Sequence, residues 1–198
     1  MSTLPNAILL IAALGLSACS TTTSRTELAD DGGFTITEQV NATPDVRSDF
    51  DSALRFLELG QYESGIALLV RVTEAAPDLI AAHIDLGIAY AQTHDLARAE
   101  ASLERALSLN PSHPVARNEL GIVYRKTGRF EEARESYERA LQVHPGFHYA
   151  RRNLAILCDV YLADPECALK HYTLYAAAVP SDESASIWIA DVRNRMGK

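Results

Sequence analysis

The feature that most constrains this chain is a repeat of 34 residues: Pro77, Pro111 and Pro145 stand at that interval. Between them Leu86-Gly87 recurs as Leu120-Gly121, Tyr90 as Tyr124, Ala99 as Ala133, Leu103 as Tyr137 and Ala106 as Ala140. A period of this length marks a supersecondary unit that cannot bury its apolar face alone and is stacked on its neighbours. Leu86, Gly87 and Tyr90 fall at i, i+1 and i+4, one helical face on which the glycine lets a second helix approach closely. From Leu96 to Leu109 the residues Ala99, Leu103, Ala106 and Leu107 share a face, so this stretch is the second helix of an antiparallel pair, with small Ala99 set against Gly87. Asn110-Pro111 and His144-Pro145 end such helices, because proline has no amide donor and restricts the residue before it.

These residues resemble the tetratricopeptide (TPR) repeat family. Its Leu-Gly-x-x-Tyr, Ala, aromatic, Ala, Pro series is met by Leu120, Gly121, Tyr124, Ala133, Tyr137, Ala140 and Pro145. The resemblance implies an all-α fold, a right-handed superhelical solenoid of helical hairpins, that binds proteins and is not an enzyme. Carried outward, it implies a first repeat from about Val46 to Leu79, with Ala53, Phe56, Gly65 and Pro77 at the signature positions. A fourth starts at His148, with Leu154-Ala155, Cys158, Ala168, Tyr172 and Pro180. The last interval, Pro145 to Pro180, is 35 residues, and the extra residue is expected in the Ala163-Asp164-Pro165 turn. The repeat domain is thus expected over 46–198, about four repeats and a capping helix. A solenoid ends in an element with a polar outer face. In residues 181–196 Asp182 is expected to cap, Ile187, Trp188 and Ile189 to face inward, and Asp191, Arg193, Asn194 and Arg195 to meet solvent. Trp188 is read as packing, the alternative being a ligand contact.

The chain begins differently. From Ala7 to Leu16 it is almost purely apolar, too short to span a bilayer and of the length of a secretory signal's central region. The run ends in Leu16-Ser17-Ala18-Cys19, which resembles a bacterial lipobox, whose cysteine is acylated and becomes the mature N-terminus. That resemblance implies a lipoprotein signal peptide over 1–19 and lipidation at Cys19. Because Ser20 and not Asp follows, it also implies sorting to the outer membrane, facing the periplasm. Met1 to Asn6 lacks the Lys or Arg with which signals open; the alternative is a frayed apolar N-terminus on a cytoplasmic protein. The hydroxyl residues Ser20 to Ser24 begin a flexible tether expected over 20–45.

A net charge of -8 and a pI near 5.2 exclude a nucleic-acid partner, since phosphate binding needs clustered Lys and Arg. No phosphate-binding loop, nucleophile elbow or His-Glu-x-x-His occurs, so neither a cofactor nor a small-molecule substrate is expected. Glu131, Glu132 and Glu135 stand among Arg129, Arg134 and Arg139 as on a solvated helix face. The six histidines are scattered and the closest pair, His144 and His148, straddles Pro145-Gly146, so no metal site is expected. Cys158 and Cys167 lie one on each helix of the fourth repeat. A short turn can bring such α-carbons to the ~5.5 Å a disulfide needs. In an oxidising periplasm they are expected to pair, the alternative being two buried thiols.

With the Leu-Gly-x-x-Tyr face of each first helix used in packing, the residues offset from it are expected to line an exposed concave groove. These are Ile84, Asp85, Ile88 and Gln92, then Asn118, Glu119, Ile122 and Lys126, then Tyr149, Arg152, Asn153 and Ile156. Leu54, Ile88, Ile122 and Ile156 recur at 34-residue steps as an apolar floor edged by amides and charges. Such a groove suits a protein or peptide partner in extended or amphipathic helical form; the alternative occupant is the chain's own segment 34–40, where Phe34, Ile36 and Gln39-Val40 alternate. The family's carboxylate clamp for chaperone tails is absent, its positions holding Phe50, Leu54, Asp85, Val115 and Glu119. The layout is similar to that of TPR lipoproteins of pilus assembly and secretion, including the pilotin and tight-adherence pilus types, which implies an envelope adaptor held by a lipid anchor. An adaptor for cell-wall hydrolases, or a cytoplasmic co-chaperone or regulator, are the alternatives.

Overall fold

Residues 42–197 are described by a computed structural model, so the expected signal, Cys19 and the tether up to residue 41 lie outside the described residues. The helices run α1 (Pro44–Glu58), α2 (Tyr62–Ala75), α3 (Ile80–Gln92), α4 (Leu96–Leu109), α5 (Pro114–Lys126), α6 (Phe130–Val143), α7 (His148–Ile156), α8 (Pro165–Ala178) and α9 (Ser184–Arg195). A π-helical turn, Leu157–Tyr161, continues α7. Each helix packs on the next, and α3, α5 and α7 meet along their edges. The all-α solenoid is therefore as the repeat demands. Its first helix starts at Pro44, behind a Thr43 cap that accepts from the Val46 amide at 3.4 Å.

The hairpins close on the expected small residues. A Cβ added to Gly87 would stand 2.6 Å from Leu103 Cγ, and one on Gly121 would stand 2.6 Å from Tyr137 Cε1. In the first hairpin the glycine has moved to the second helix: Gly65 faces Leu57 and the Ala53 carbonyl. The close approach is kept and the helix that supplies it is exchanged. Ala99, Leu103 and Ala106, and their equivalents Ala133, Tyr137 and Ala140, are buried in the two cores that this stacking makes.

Each hairpin turns through a residue of left-handed conformation, at Gly60, His94, Gly128 and Ala163. Their spacings are 34, 34 and 35, so the extra residue of the fourth repeat lies before Ala163. It is taken up in the π-helical turn, not in the Ala163-Asp164-Pro165 turn where the sequence put it. Leu162 N donates to Leu157 O at 3.1 Å, five residues back. A π turn absorbs one residue without breaking the helix. Asp164 thereby stays in place to cap α8, accepting from Cys167 N at 3.0 Å.

Two devices escaped the sequence reading. His83, Arg117 and Arg151, again 34 residues apart, each reach the carbonyl of the proline six residues earlier: Pro77 at 3.1 Å, Pro111 at 2.9 Å, and Pro145. Because a carbonyl only accepts, the His83 bond places its proton on Nε2. His113 is the N-cap of α5, buried, with Nδ1 accepting from Ala116 N at 3.2 Å. That role requires a neutral ring, and burial holds the imidazole down at about 4.

At the C-terminal end Ala185 and Val192 of α9 are buried, with Trp188 and Ile189 half-buried beside them. Ile187 corrects the expectation that it faces inward, since it is 68% exposed. Two residues beyond Ala185 at 3.6 residues per turn is nearly the opposite side of the helix. Asp191, Arg193, Asn194 and Arg195 are exposed as expected, and Asp182 accepts from Ser184 N at 3.0 Å.

Candidate functional site

The inner side of the superhelix is formed by the first helices α1, α3, α5 and α7, which bring three columns of residues into line at the repeat spacing. Phe50, Ile84, Asn118 and Arg152 make one, Asp51, Asp85, Glu119 and Asn153 the second, and Leu54, Ile88, Ile122 and Ile156 the third. The sequence named the members of these columns on α3, α5 and α7. Its expectation that they are openly exposed is corrected. Ile84, Asp85, Asn118 and Asn153 are buried, while Leu54, Ile88, Ile122, Ile156, Glu119, Tyr149 and Arg152 are half-buried. Leu54 and Ile88 pack against one core, Ile122 and Ile156 against the other. The edges of α3 and α5, and of α5 and α7, meet, contacts that a single-helix face assignment does not contain. Gln92 and Lys126, at the open ends of α3 and α5, are exposed.

The middle of the face is polar and knitted together. Asn153 Nδ2 donates to Asn118 Oδ1 at 2.9 Å, and Asn118 Nδ2 donates to Glu119 Oε1 at 2.9 Å. Lys126 Nζ donates to the Ala91 carbonyl at 3.1 Å, tying the end of α5 to that of α3. Burial pushes the Glu119 carboxyl up to about 7; the Asn118 bond and the Lys126 charge oppose this, and the nearby Asp85 adds to it. Glu119 is therefore a proton-binding group near neutral pH inside a hydrogen-bonded amide ladder.

Toward the C-terminal end the chemistry turns aromatic and cationic. The Arg152 guanidinium lies 5.9 Å from the ring centres of both Tyr149 and Tyr175, at cation-π range. Tyr175 donates its hydroxyl to Asp182 Oδ2 at 2.7 Å. Trp188 packs beside Tyr172 and Tyr175 with ring centres 5.3 and 6.3 Å away, the packing role read from its spacing.

Cys158 in the π-helical turn and Cys167 in the first turn of α8 are joined as a disulfide, their α-carbons 5.8 Å apart. With Asp164 they form the one cluster of metal-ligand types among the described residues, its candidate atoms within 4.8 Å of one another. Both sulfurs are engaged with each other, and Asp164 is engaged as the α8 cap.

The repeat seen in these columns has a counterpart in known proteins. A tetratricopeptide repeat model matches residues 50–114, 84–146 and 118–183. The chain belongs to the tetratricopeptide repeat family. Tetratricopeptide solenoids are scaffolds for protein-protein interaction, and the inner face is this one's candidate partner surface. The solenoid is similar to the crystal structure of MamA, at 19% identity over 73% of this chain and 84% of that one, with a TM-score of 0.66. It is similar also to the structure of Pseudomonas aeruginosa pilF, at 19% identity over 76% of this chain and 68% of that one, TM-score 0.70. The first TPR of Spaghetti (RPAP3), solved with an HSP90 peptide, matches at 23% identity over 62% of this chain and 96% of that one, TM-score 0.58. At these identities the likeness is one of fold. No curated protein matches the chain.

Proposed function

We propose that this protein is an envelope adaptor: an exported tetratricopeptide scaffold, held at the outer membrane and facing the periplasm through acylated Cys19, that binds a protein component of a pilus or secretion machine. The observation that carries the reading is the order of parts along the chain. An apolar run ending in Leu16-Ser17-Ala18-Cys19 and a hydroxyl-rich stretch precede a solenoid whose inner face mixes half-buried isoleucines with amides and charges. The Cys158–Cys167 bond supports an oxidising compartment, where disulfides persist. The likeness in fold to pilF supports the pilus branch.

The test has two arms. Metabolic labelling with a palmitate analogue should tag the wild type and spare Cys19→Ala; label on neither protein removes the anchor. A photo-crosslinker at Gln92, exposed at the rim of the inner face, should capture an envelope protein, and one at Arg98 on the outer side should not. Capture from Arg98 alone would put the partner on the convex face and overturn the role of the groove.

A further inference from the structure

At the C-terminal end of the inner face one arginine differs from others that are equally buried. Half-buried arginines of this solenoid donate to oxygen: Arg117 and Arg151 to the Pro111 and Pro145 carbonyls, Arg129 to Glu100 and Arg134 to Asp164. Arg152 is half-buried too, yet it donates to no carbonyl or carboxylate among the described residues. Its Nε is out of solvent and has no hydrogen-bond partner there. An ionic group so placed has given up part of its hydration without gaining a counter-charge in contact.

What surrounds Arg152 is aromatic. Tyr149, one turn earlier on α7, and Tyr175 of α8 each place a ring centre 5.9 Å from the guanidinium. Asp182 is near enough to feel the charge, but its carboxylate is already occupied, accepting from the Tyr175 hydroxyl at 2.7 Å and the Ser184 amide at 3.0 Å. Tyrosine faces hold a guanidinium in place and shield it from water without neutralising it. A carboxylate can meet such an oriented fork of donors through two parallel hydrogen bonds, which gain strength where water is partly excluded. The charges of the face are also sorted along the solenoid: Asp51, Asp85 and Glu119 stand on α1, α3 and α5, and Arg152 stands on α7. Ile156, one turn beyond Arg152 on the same side of α7, is half-buried and apolar.

We propose that Arg152 is the anchor for an acidic side chain of the partner: an Asp or Glu of a peptide lying on the inner face docks on the guanidinium between Tyr149 and Tyr175, with an apolar neighbour of that acid set against Ile156. The proposal rests on the reading of the inner face as the partner surface, and it adds the chemistry and direction of what lies there. The acid belongs at the α7 end, because opposite Asp85 and Glu119 a second carboxylate meets like charge. Arg152 thus selects among peptides by charge, while the half-buried isoleucines of the same face accept any apolar side chain of suitable size.

The test uses the full chain as bait and, as the probe, short random peptides displayed on phage through their C-termini, so that any acid in them is a side chain. Peptides retained by the wild type should be enriched in Asp or Glu beside a large apolar residue. Replacing that acid by its amide, or Arg152 by Gln, should each weaken binding about tenfold or more, and the two changes together should add little further. Selection on Arg152→Glu should lose the acid and enrich Lys and Arg in its place. Trp188, the chain's single tryptophan, has its ring centre 6.3 Å from that of Tyr175, so its emission should change when a tryptophan-free binder is added to the wild type. A wild-type selection without acidic enrichment, an acid-to-amide change without loss, an Arg152→Glu protein that still selects acids, or an unchanged Trp188 emission would each overturn the proposal. The acid-to-amide change is made in the peptide and the emission is read on the wild type, so the outcome stands even where a variant fails to fold. Binders indifferent to Arg152 would refute the anchor and leave the inner face as partner surface, which the crosslinkers at Gln92 and Arg98 test separately.

Discussion

Acidification sets two desolvated groups of this solenoid, His113 and Glu119, against each other. His113, neutral because its Nδ1 caps α5, is held at about 4 against an ordinary 6.5; Glu119 is pushed to about 7 against an ordinary 4.5. Between pH 6.5 and 4 the unfolded chain binds more protons at His113 than the native one, so stability is lost as the pH falls through that window. Between pH 7 and 4.5 the native chain binds more protons at Glu119, so stability is gained as the pH falls. Each group's shift spans about 2.5 units, and between pH 7 and pH 5 each changes stability by about 2 kcal/mol, in opposite directions. The pair therefore nearly cancels in the wild type, leaving His171 and His83, whose imidazoles burial holds below their ordinary value, to set a slope that destabilises as the pH falls. Glu119→Gln keeps an oxygen for the Asn118 amide and removes the titration. In urea unfolding it should lose about 2 kcal/mol more than wild type on going from pH 7 to pH 5. His113→Asn keeps a capping acceptor and should lose about 2 kcal/mol less than wild type over the same interval. If both variants follow the wild-type pH dependence in parallel, neither group titrates where its burial places it, and the argument from desolvation is refuted.

Gly121→Leu drives a side chain into the Tyr137 ring and should lower stability by about 1 to 3 kcal/mol or more in thermal or urea melts. An unchanged midpoint would mean that α5 and α6 separate at little cost. His94 and Ala163 hold left-handed turns without being glycine. His94→Gly and Ala163→Gly should each raise stability by up to about 1 kcal/mol, measured by urea midpoint, since relief of the steric cost exceeds the entropy glycine adds to the unfolded chain. Cys158→Ala/Cys167→Ala opens a loop of nine residues and should cost about 2.5 kcal/mol, and a thiol probe should label Cys158 and Cys167 of the wild type only after reduction.

The 34-residue interval determined, without coordinates, that this chain is a solenoid of helical pairs, that α4 runs from Leu96 to Leu109, and that Gly87 and Gly121 are where helices touch. Those features depend on residues within a few turns of one another, so the order of side chains along one helix contains them. The regular Pro77, Pro111 and Pro145 also contained a signal that went unread, in the His83, Arg117 and Arg151 partners that recur with them. Other features were decided only by tertiary structure. The fourth repeat could have placed its extra residue in either of two segments, and the π-helical turn leaves Asp164 on α8 and Cys158 opposite Cys167. Whether Ile84 or Ile88 meets solvent depends on α5, which follows a whole repeat later. The proton affinities of His113 and Glu119 follow from desolvation by neighbouring helices. Each of these is a property of packing among segments far apart in the chain, and the periodicity of one helix holds no information about the neighbour that will cover it.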